Sequence, residues 1–266
     1  MLFNIPKSPK TLILIPAYNE EERIGEMLER YLSFFSSITG FQIEFMVILN
    51  GCRDRTKNIV QGFQITNPHL KLSEFNDPIG KGGALIEGLK GYKDYDLIGF
   101  VDADGSTPPE AFAELLHQIK DFDAVIASRW IEGAKVIHLQ TPIRRFASRC
   151  FHLIVDTLFL MDIHDTQCGA KVIRTNCVDK IMDELVVADM AFDVNLLYCL
   201  HRIKARIKEF PTTWEDKGGS KVRIFKTSTM MLLSIIRLRW IYSPLAFLRP
   251  FFMPMETKFY FWIKKL

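Results

Sequence analysis

From residue 11 onward, short apolar runs alternate with stretches whose apolar residues recur at helical spacing. The runs TLILI (11–15), IEFMVIL (43–49), LKLSEF (70–75), LIGFV (97–101) and DAVIAS (123–128) predict β-strands, and the fully apolar ones predict strands buried on both faces. After the first run, Ile24, Met27, Leu28, Tyr31, Leu32 and Phe35 fall on one helical face. Asn19 is the expected N-cap there, with Glu20, Glu21 and Glu22 in the first turn. Further helices are expected over 55–63, 83–89 and 109–119, the last opened by a proline that suits a first helical position. The order βαβαβαβ implies an α/β fold with an open, mostly parallel sheet and helices on both faces. In such sheets ligands bind beyond the carboxyl ends of the strands.

Beyond residue 130 the pattern changes. Residues 144–163 predict a helix that is apolar almost all round and broken by Asp156, GAKVIR (169–174) a strand, 188–203 a helix and 205–214 another strand. The polar loop WEDKGGSKV precedes TSTMMLLSIIRLRWIYSPL, which predicts an amphipathic, interfacial helix. Charges interrupt each apolar run short of the roughly 20 residues that span a bilayer. The polar opening MLFNIPKSPK does not read as a signal peptide.

Charge divides the chain more sharply than its net +3 suggests. Residues 201–266 hold 14 of the 34 Lys and Arg but only 4 of the 31 Asp and Glu, a local balance of +10 against −7 for the rest. They also hold 12 of the 32 aromatic residues, so an acidic body joins a basic, aromatic tail. Such a tail suits an anionic, partly apolar partner, either nucleic acid or a membrane. Single-strand binders interleave aromatics along a polar groove, whereas here the aromatics adjoin long aliphatic runs. A membrane surface is therefore expected and nucleic acid is not. Cys52, Cys150, Cys168, Cys177 and Cys199 have neither metal-ligand spacing nor even number and are read as free thiols of a reducing compartment.

The strongest chemical signal is VDADGS (101–106), directly after a buried strand. In extended backbone, residues two apart point the same way, so Asp102 and Asp104 are expected to present two carboxylates to one point at the ligand edge. Mg²⁺ or Mn²⁺, shared with substrate phosphates, is the cation such a pair holds. PAYNEEE (16–22) follows the first strand and reads equally as a helix start. Asn50 and Asp54 of NGCRDRT could bond a ribose or base, or simply form a polar turn. Lys81 lies in the glycine-rich DPIGKGGA (77–84), which matches neither a P-loop nor GxGxxG.

Taken in order, IPAYNEE, NGCRDRT, GKGGALIEG, VDADGS, ASRW and DTQCGAKVI resemble glycosyltransferase family 2 enzymes of the GT-A fold, and within them the polyprenyl- and dolichyl-phosphate glucose and mannose synthases. The resemblance spans about residues 10–225. It implies a Rossmann-like catalytic domain over 1–225, including a possible interfacial helix at 144–163, with 226–266 as a membrane-associating extension. It further implies that Pro16, Ala17, Tyr18 and Glu20 line a nucleotide pocket, that Asn50 faces the nucleotide and that Lys81 lies beside the base. Asp102 and Asp104, with Ala103 between them, would meet the donor diphosphate, the two acids holding the metal. Arg129 would contact phosphate, and Asp165, Gln167 and Cys168 would lie near the sugar. Arg145, Ser148, Arg149, Ser220, Lys221 and Arg223 would bind the lipid phosphate or donor phosphates.

Three positions depart from the family pattern: Asn50 replaces the usual acid, Ser106 stands where mannose synthases often have Gln, and Asn195 where relatives often have Glu. The Ser106 departure leans toward a glucose donor. A lipid phosphate, with a second pKa near 6, is largely a dianion at pH 7. It needs positioning and neutralisation more than a general base, so Asp165 is expected to orient rather than to take a proton. The expected activity is inverting, metal-dependent transfer of a hexose, from UDP-glucose before GDP-mannose, to a polyprenyl phosphate at the cytoplasmic face of a membrane. A family 2 enzyme with a soluble acceptor and a non-catalytic membrane-binding module are the alternatives.

Overall fold

The computed structural model describes residues 6–137, 142–215, 217 and 224–243. Its first half follows the predicted alternation: β1 (Lys10–Ala17), α1 (Ile24–Ser36), β2 (Gln42–Asn50), α2 (Thr56–Gln64), β3 (Leu70–Phe75), α3 (Lys81–Leu89), β4 (Leu97–Phe100), α4 (Pro109–Gln118) and β5 (Ala124–Ser128). Then come β6 (Lys135–Ile137), α5 (Pro142–Phe159), β7 (Lys171–Arg174), α6 (Thr175–Ile181), α7 (Phe192–Arg202), β8 (Ile207–Pro211), β9 (Thr213–Glu215) and α8 (Ile224–Ile241).

Seven strands form one sheet in the order β3-β2-β1-β4-β7-β5-β8, while β6 and β9 pair separately. The sheet is parallel except for β7, which lies antiparallel between β4 and β5. Alternate side chains of β1 serve opposite faces, as the two-residue repeat of a strand requires. Leu12 and Leu14 join Leu85 of α3, Val155 of α5, Val178 of α6 and Leu196 of α7 in one core. Ile13 and Ile15 join Leu28 of α1, Val60 of α2 and Phe112 of α4 in the other. Each such aliphatic side chain gives about 1.5–3 kcal/mol when fully buried, which is why the apolar strand runs were readable.

Three expectations are corrected. First, α1 starts at Ile24, not directly after Asn19, because Asn19 turns the chain at φ 54° and spends its amide elsewhere. Second, α5 runs through the exposed Asp156 without a break and ends at Phe159, where Leu160 takes a left-handed backbone (φ 50°) and donates its N–H to the Asp156 carbonyl. Third, 205–214 is two strands, the second of which leaves the main sheet for β6. On α8, Ile235 and Leu238 are buried in the core while Ile236 is exposed. Residues 244–266, the rest of the expected aromatic extension, lie outside the described residues. No helix among the described residues is long and apolar enough to cross a membrane.

Near the strand starts, Glu44 of β2 accepts hydrogen bonds from Lys71 (2.7 Å) and Tyr95 (2.6 Å), with Lys10 at 3.5 Å. Burial opposes its ionised form, but Lys71 and Tyr95 prevail and hold the carboxyl down at about 2. A carboxyl lowered by folding contributes stability above its unfolded value, and that stability disappears as pH falls through the folded one. Unfolding free energy should therefore drop between about pH 4.3 and 2. Glu44→Gln should flatten this segment of the profile, measured by urea titration at successive pH values.

Candidate active site at the carboxyl edge of the sheet

The loops after β1 and β2 are stitched together by side-chain to backbone hydrogen bonds. Asn19 Oδ1 accepts from the Arg53 N–H (2.8 Å), Thr56 Oγ1 from Glu20 (2.8 Å) and Asp54 Oδ2 from Glu21 (3.2 Å). Asp54 also closes its own turn through Thr56, so its carboxylate serves the loop. Glu20 is paired with Arg23 at 2.8 Å. Pro16 and Ala17 end β1, and the Tyr18 ring beside them is 48% exposed at the edge. Asn50 is buried, and its Oδ1 accepts the Ile79 N–H at 2.7 Å, drawing in the turn that leads to Lys81.

Beyond β4, the chain turns at Ala103 and Asp104 instead of continuing extended. Asp102 packs against Gly169, where any Cβ would overlap its carboxylate. Its Oδ1 lies 2.8 Å from Lys81 Nζ. Lys81 in turn stands 3.4 Å from Asp193 Oδ2, and Asp193 Oδ1 is 2.6 Å from Lys171 Nζ. Burial disfavours the charge on Lys81, but Asp102 and Asp193 outweigh it and keep the ammonium protonated. Asp193 shows the converse: burial would raise it, and Lys171 and Lys81 pull it below the usual carboxylate range.

Asp104 accepts the Ser106 N–H at 2.9 Å. Burial and the charge of Asp102 push its carboxyl up, which is the behaviour of an acidic pair that a cation would relieve. A cleft of about 270 Å³ opens beside Asp104, lined by Arg23, Glu26, Arg30, Tyr31, Thr107 and Lys217 among others. Among the described residues, no group of three or more His, Cys, Asp or Glu side chains could hold a metal alone. Two carboxylates with substrate phosphates and water completing the shell fit Mg²⁺ or Mn²⁺, which bind in that manner.

Arg129, just past β5, is clamped by Asp165: Nε to Oδ2 at 2.7 Å, Nη2 to Oδ1 at 2.9 Å and its backbone N–H to Oδ2 at 3.0 Å. Burial works against ionisation of Asp165, but Arg129 overcomes it and lowers the carboxyl. Glu209 of β8 accepts the backbone N–H groups of His164 and Asp165, both at 2.9 Å, and so fixes the segment bearing that carboxylate. The Arg129 guanidinium lies 5.3 Å from the Trp214 ring centre. Nearby, buried Ser128 Oγ and Gln167 Nε2 find no hydrogen-bond partner among the described residues. Buried polar atoms left so in a protein point to a ligand or water that completes them.

The profile of Glycosyl transferase family 2 matches residues 12–182. The chain belongs to glycosyl transferase family 2. A dolichyl-phosphate β-glucosyltransferase of Dictyostelium discoideum is 30% identical over 243 residues, covering 86% of this chain and 74% of the relative. The dolichyl-phosphate β-glucosyltransferase of Saccharomyces cerevisiae is 28% identical, with 86% and 74% covered. Glucosyl-3-phosphoglycerate synthase of Mycobacterium tuberculosis shares the fold, with a TM-score of 0.65 over 89% of this chain and 82% of its own at 14% identity. The architecture is thus the GT-A fold that the motifs implied.

In this family 2 chain, the structure brings Lys81, Asp102 and Gly169 together, and beside them Arg129, Asp165 and Glu209, near enough for the Asp102 charge to act on Arg129. Arg145 and Arg149 are exposed near the start of α5, with Ser148 half-buried between them. Ser220, Lys221 and Arg223 lie outside the described residues. Of the three departures, Asn195 has a structural explanation. It is fully buried, accepts the Val186 and Val187 N–H groups, and donates to the Glu184 carbonyl at 3.1 Å, a bond that an ionised Glu could not donate. The Ser106 carbonyl accepts the Glu215 N–H at 2.9 Å, which ties the acidic loop to β9.

Sequence reasoning missed Lys171, Asp193, Gly169 and Glu209. Lys171 and Gly169 lay inside a quoted segment, where a lysine within the otherwise apolar AKVI was the available signal, while Asp193 and Glu209 fell within the expected helix 188–203 and strand 205–214. Gly169→Ala should displace the Asp102 carboxylate and cost at least about tenfold in turnover of the sugar donor, because one misplaced group can cost far more. Its thermal unfolding should stay close to wild type. Asp193→Ala should act mainly on stability, lowering it by about 3–5 kcal/mol in urea titrations because it strands the buried Lys171 charge.

Proposed function

We propose that this chain is a polyprenyl-phosphate glucosyltransferase, moving glucose from UDP-glucose to a lipid phosphate with inversion. The observation that carries the reading is the length of its likeness to dolichyl-phosphate β-glucosyltransferases, 86% of the chain for the Dictyostelium enzyme. On this reading an acceptor phosphate oxygen attacks the anomeric carbon as its bond to the donor diphosphate breaks, leaving a β-linked product. Asp102 and Asp104 would hold Mg²⁺ or Mn²⁺, which neutralises the departing diphosphate when bound. The solved glucosyl-3-phosphoglycerate synthase was obtained with Mn²⁺ and UDP-glucose, which supports that choice. Pro16, Ala17, Tyr18 and Glu20 would border the nucleotide, with Asn50 setting the loop beneath it.

Arg129, stiffened by Asp165, would present its remaining N–H groups to phosphate, while Gln167 Nε2 would donate to a sugar hydroxyl. Asp165 orients and does not take a proton, since both its oxygens are already engaged. Arg145, Ser148 and Arg149, with Ser220, Lys221 and Arg223, would neutralise the acceptor phosphate.

An apolar stripe supports the lipid acceptor. On α5, Phe146 is 71% and Leu153 65% exposed, two helical turns apart, and Leu160 just beyond the helix is 78% exposed. Arg145 and Arg149 flank this stripe, the composition of a helix lying in a headgroup layer. The enzyme would thus act peripherally at the cytoplasmic face of a membrane, and its five free thiols suit a reducing compartment.

The test is transfer by the full chain from UDP-glucose or GDP-mannose, with Mn²⁺ or Mg²⁺, to a short polyprenyl phosphate or to soluble acceptors. Glucose transfer to the lipid phosphate is expected. Asp102→Ala should remove at least about 10²-fold of it, and Phe146→Glu with Leu153→Glu should weaken sedimentation with anionic vesicles. Transfer to a soluble acceptor with none to lipid phosphate would overturn the assignment.

A further inference from the structure

The Lys81 ammonium is placed where it competes with a cation. It lies 2.8 Å from Asp102 Oδ1, one of the oxygens that a divalent ion at this acidic pair would need, and 3.4 Å from Asp193 Oδ2. The backbone on either side of it has no room to shift. A Cβ at Gly80 would overlap the Ala188 carbonyl, and one at Gly82 the Val187 carbonyl and the Phe192 side chain. Asp193 is equally fixed, because Lys171 holds its other oxygen at 2.6 Å. The flexible four-carbon stem of Lys81 is free to move where its backbone is not, and a second carboxylate already stands within reach of its ammonium. Like charges crowded on one carboxylate oxygen repel strongly in a partly buried setting.

We infer that Lys81 is the resident counter-ion of Asp102 and cedes that carboxylate to the divalent cation, retiring onto Asp193 and toward the donor's phosphates. This rests on the reading that Asp102 and Asp104 hold the cation. It has a thermodynamic consequence: the ion binds weakly alone because it must displace an ammonium. A nucleotide diphosphate strengthens its binding both by ligating the ion and by receiving the displaced charge. Coupling of this kind is reciprocal, so the ion equally favours the nucleotide.

The experiment is Mn²⁺ binding to the full chain, read by the electron paramagnetic resonance of free Mn²⁺ with and without UDP. Lys81→Met and Lys81→Gln, which remove the competing charge, should bind Mn²⁺ alone about tenfold more tightly than wild type, and Lys81→Arg should stay within about twofold. UDP should tighten Mn²⁺ binding by a smaller factor in the two neutral variants. Neutral variants that keep the wild-type circular dichroism and unfolding temperature but bind Mn²⁺ alone no more tightly would overturn the inference.

A crystal structure of the wild-type chain with Mn²⁺ and UDP tests it without any substitution. Lys81 Nζ should lie beyond hydrogen-bond reach of Asp102, and an intact ion pair beside a bound Mn²⁺ would overturn the displacement. Failure of the underlying metal assignment looks different. Wild type would bind no Mn²⁺ even with UDP, or Asp104→Asn would leave binding unchanged, and the inference would fall with it.

Discussion

A fully buried lysine organises this molecule. Lys171 lies on β7, the antiparallel strand in the interior of the sheet, and its ammonium has no exposure to water. A charge so placed is tolerated only with a fixed partner and hydrogen bonds. Lys171 meets the Cys168 carbonyl and Asp193. Asp193 belongs to the first turn of α7, so this requirement anchors that helix end against the sheet. The second oxygen of Asp193 then faces Lys81 at the start of α3, and Lys81 faces Asp102 after β4. Charges alternating in sign therefore connect a strand, two helix starts and the acidic loop in a single row.

Around that row the loops gain rigidity from hydrogen bonds rather than from apolar burial. Asn19, Asp54, Thr56 and Asn50 each give a side-chain atom to the backbone of a loop beyond a different strand. Functional loops on an α/β scaffold need such support, because backbone at the strand ends has left the sheet ladder. The acidic loop is also tied to β9, and through β9 to α1. Glu215 bonds the Ser106 carbonyl, and Lys217 reaches both Glu26 of α1 and Glu215. β9 is thereby held against the loop that bears Asp102 and Asp104.

The strands and helices of the first half were legible because burial on both faces leaves uninterrupted runs such as TLILI, and a one-sided helix leaves a periodic trace. The reversed direction of β7 was not, since four residues carry no sign of which neighbours they pair with. Asn19 misled because an N-cap residue and a loop-tying residue have the same chemistry and differ only in which N–H they meet. The closeness of Asp102 and Asp104 could be read from their adjacency in the chain, but not the turn at Ala103 and Asp104 where extended backbone was expected. Lys171 with Asp193 could not be read so, being a contact between residues 22 positions apart whose partners each resemble an ordinary surface charge. Asn50 was legible as a polar residue at the right edge, yet its bond to Ile79 depends on a turn brought in from beyond the next strand.

The disposition of acids bears on which acceptor this edge suits. A hydroxyl nucleophile needs a group to take its proton, whereas an ionised phosphate does not. Asp165 gives both oxygens to Arg129 and is thereby lowered, Asp193 is shared by two ammoniums, and Glu209 is occupied with the His164 and Asp165 amides. Asp102 and Asp104 form the pair suited to a cation. Asp165, Asp193 and Glu209 are thus spent on fixed partners rather than poised as bases, and Asp165 and Asp193 keep Arg129 and Lys81 charged. An acceptor that arrives already ionised requires no more than that, because electrostatic positioning of phosphate is what such an arrangement of cations supplies.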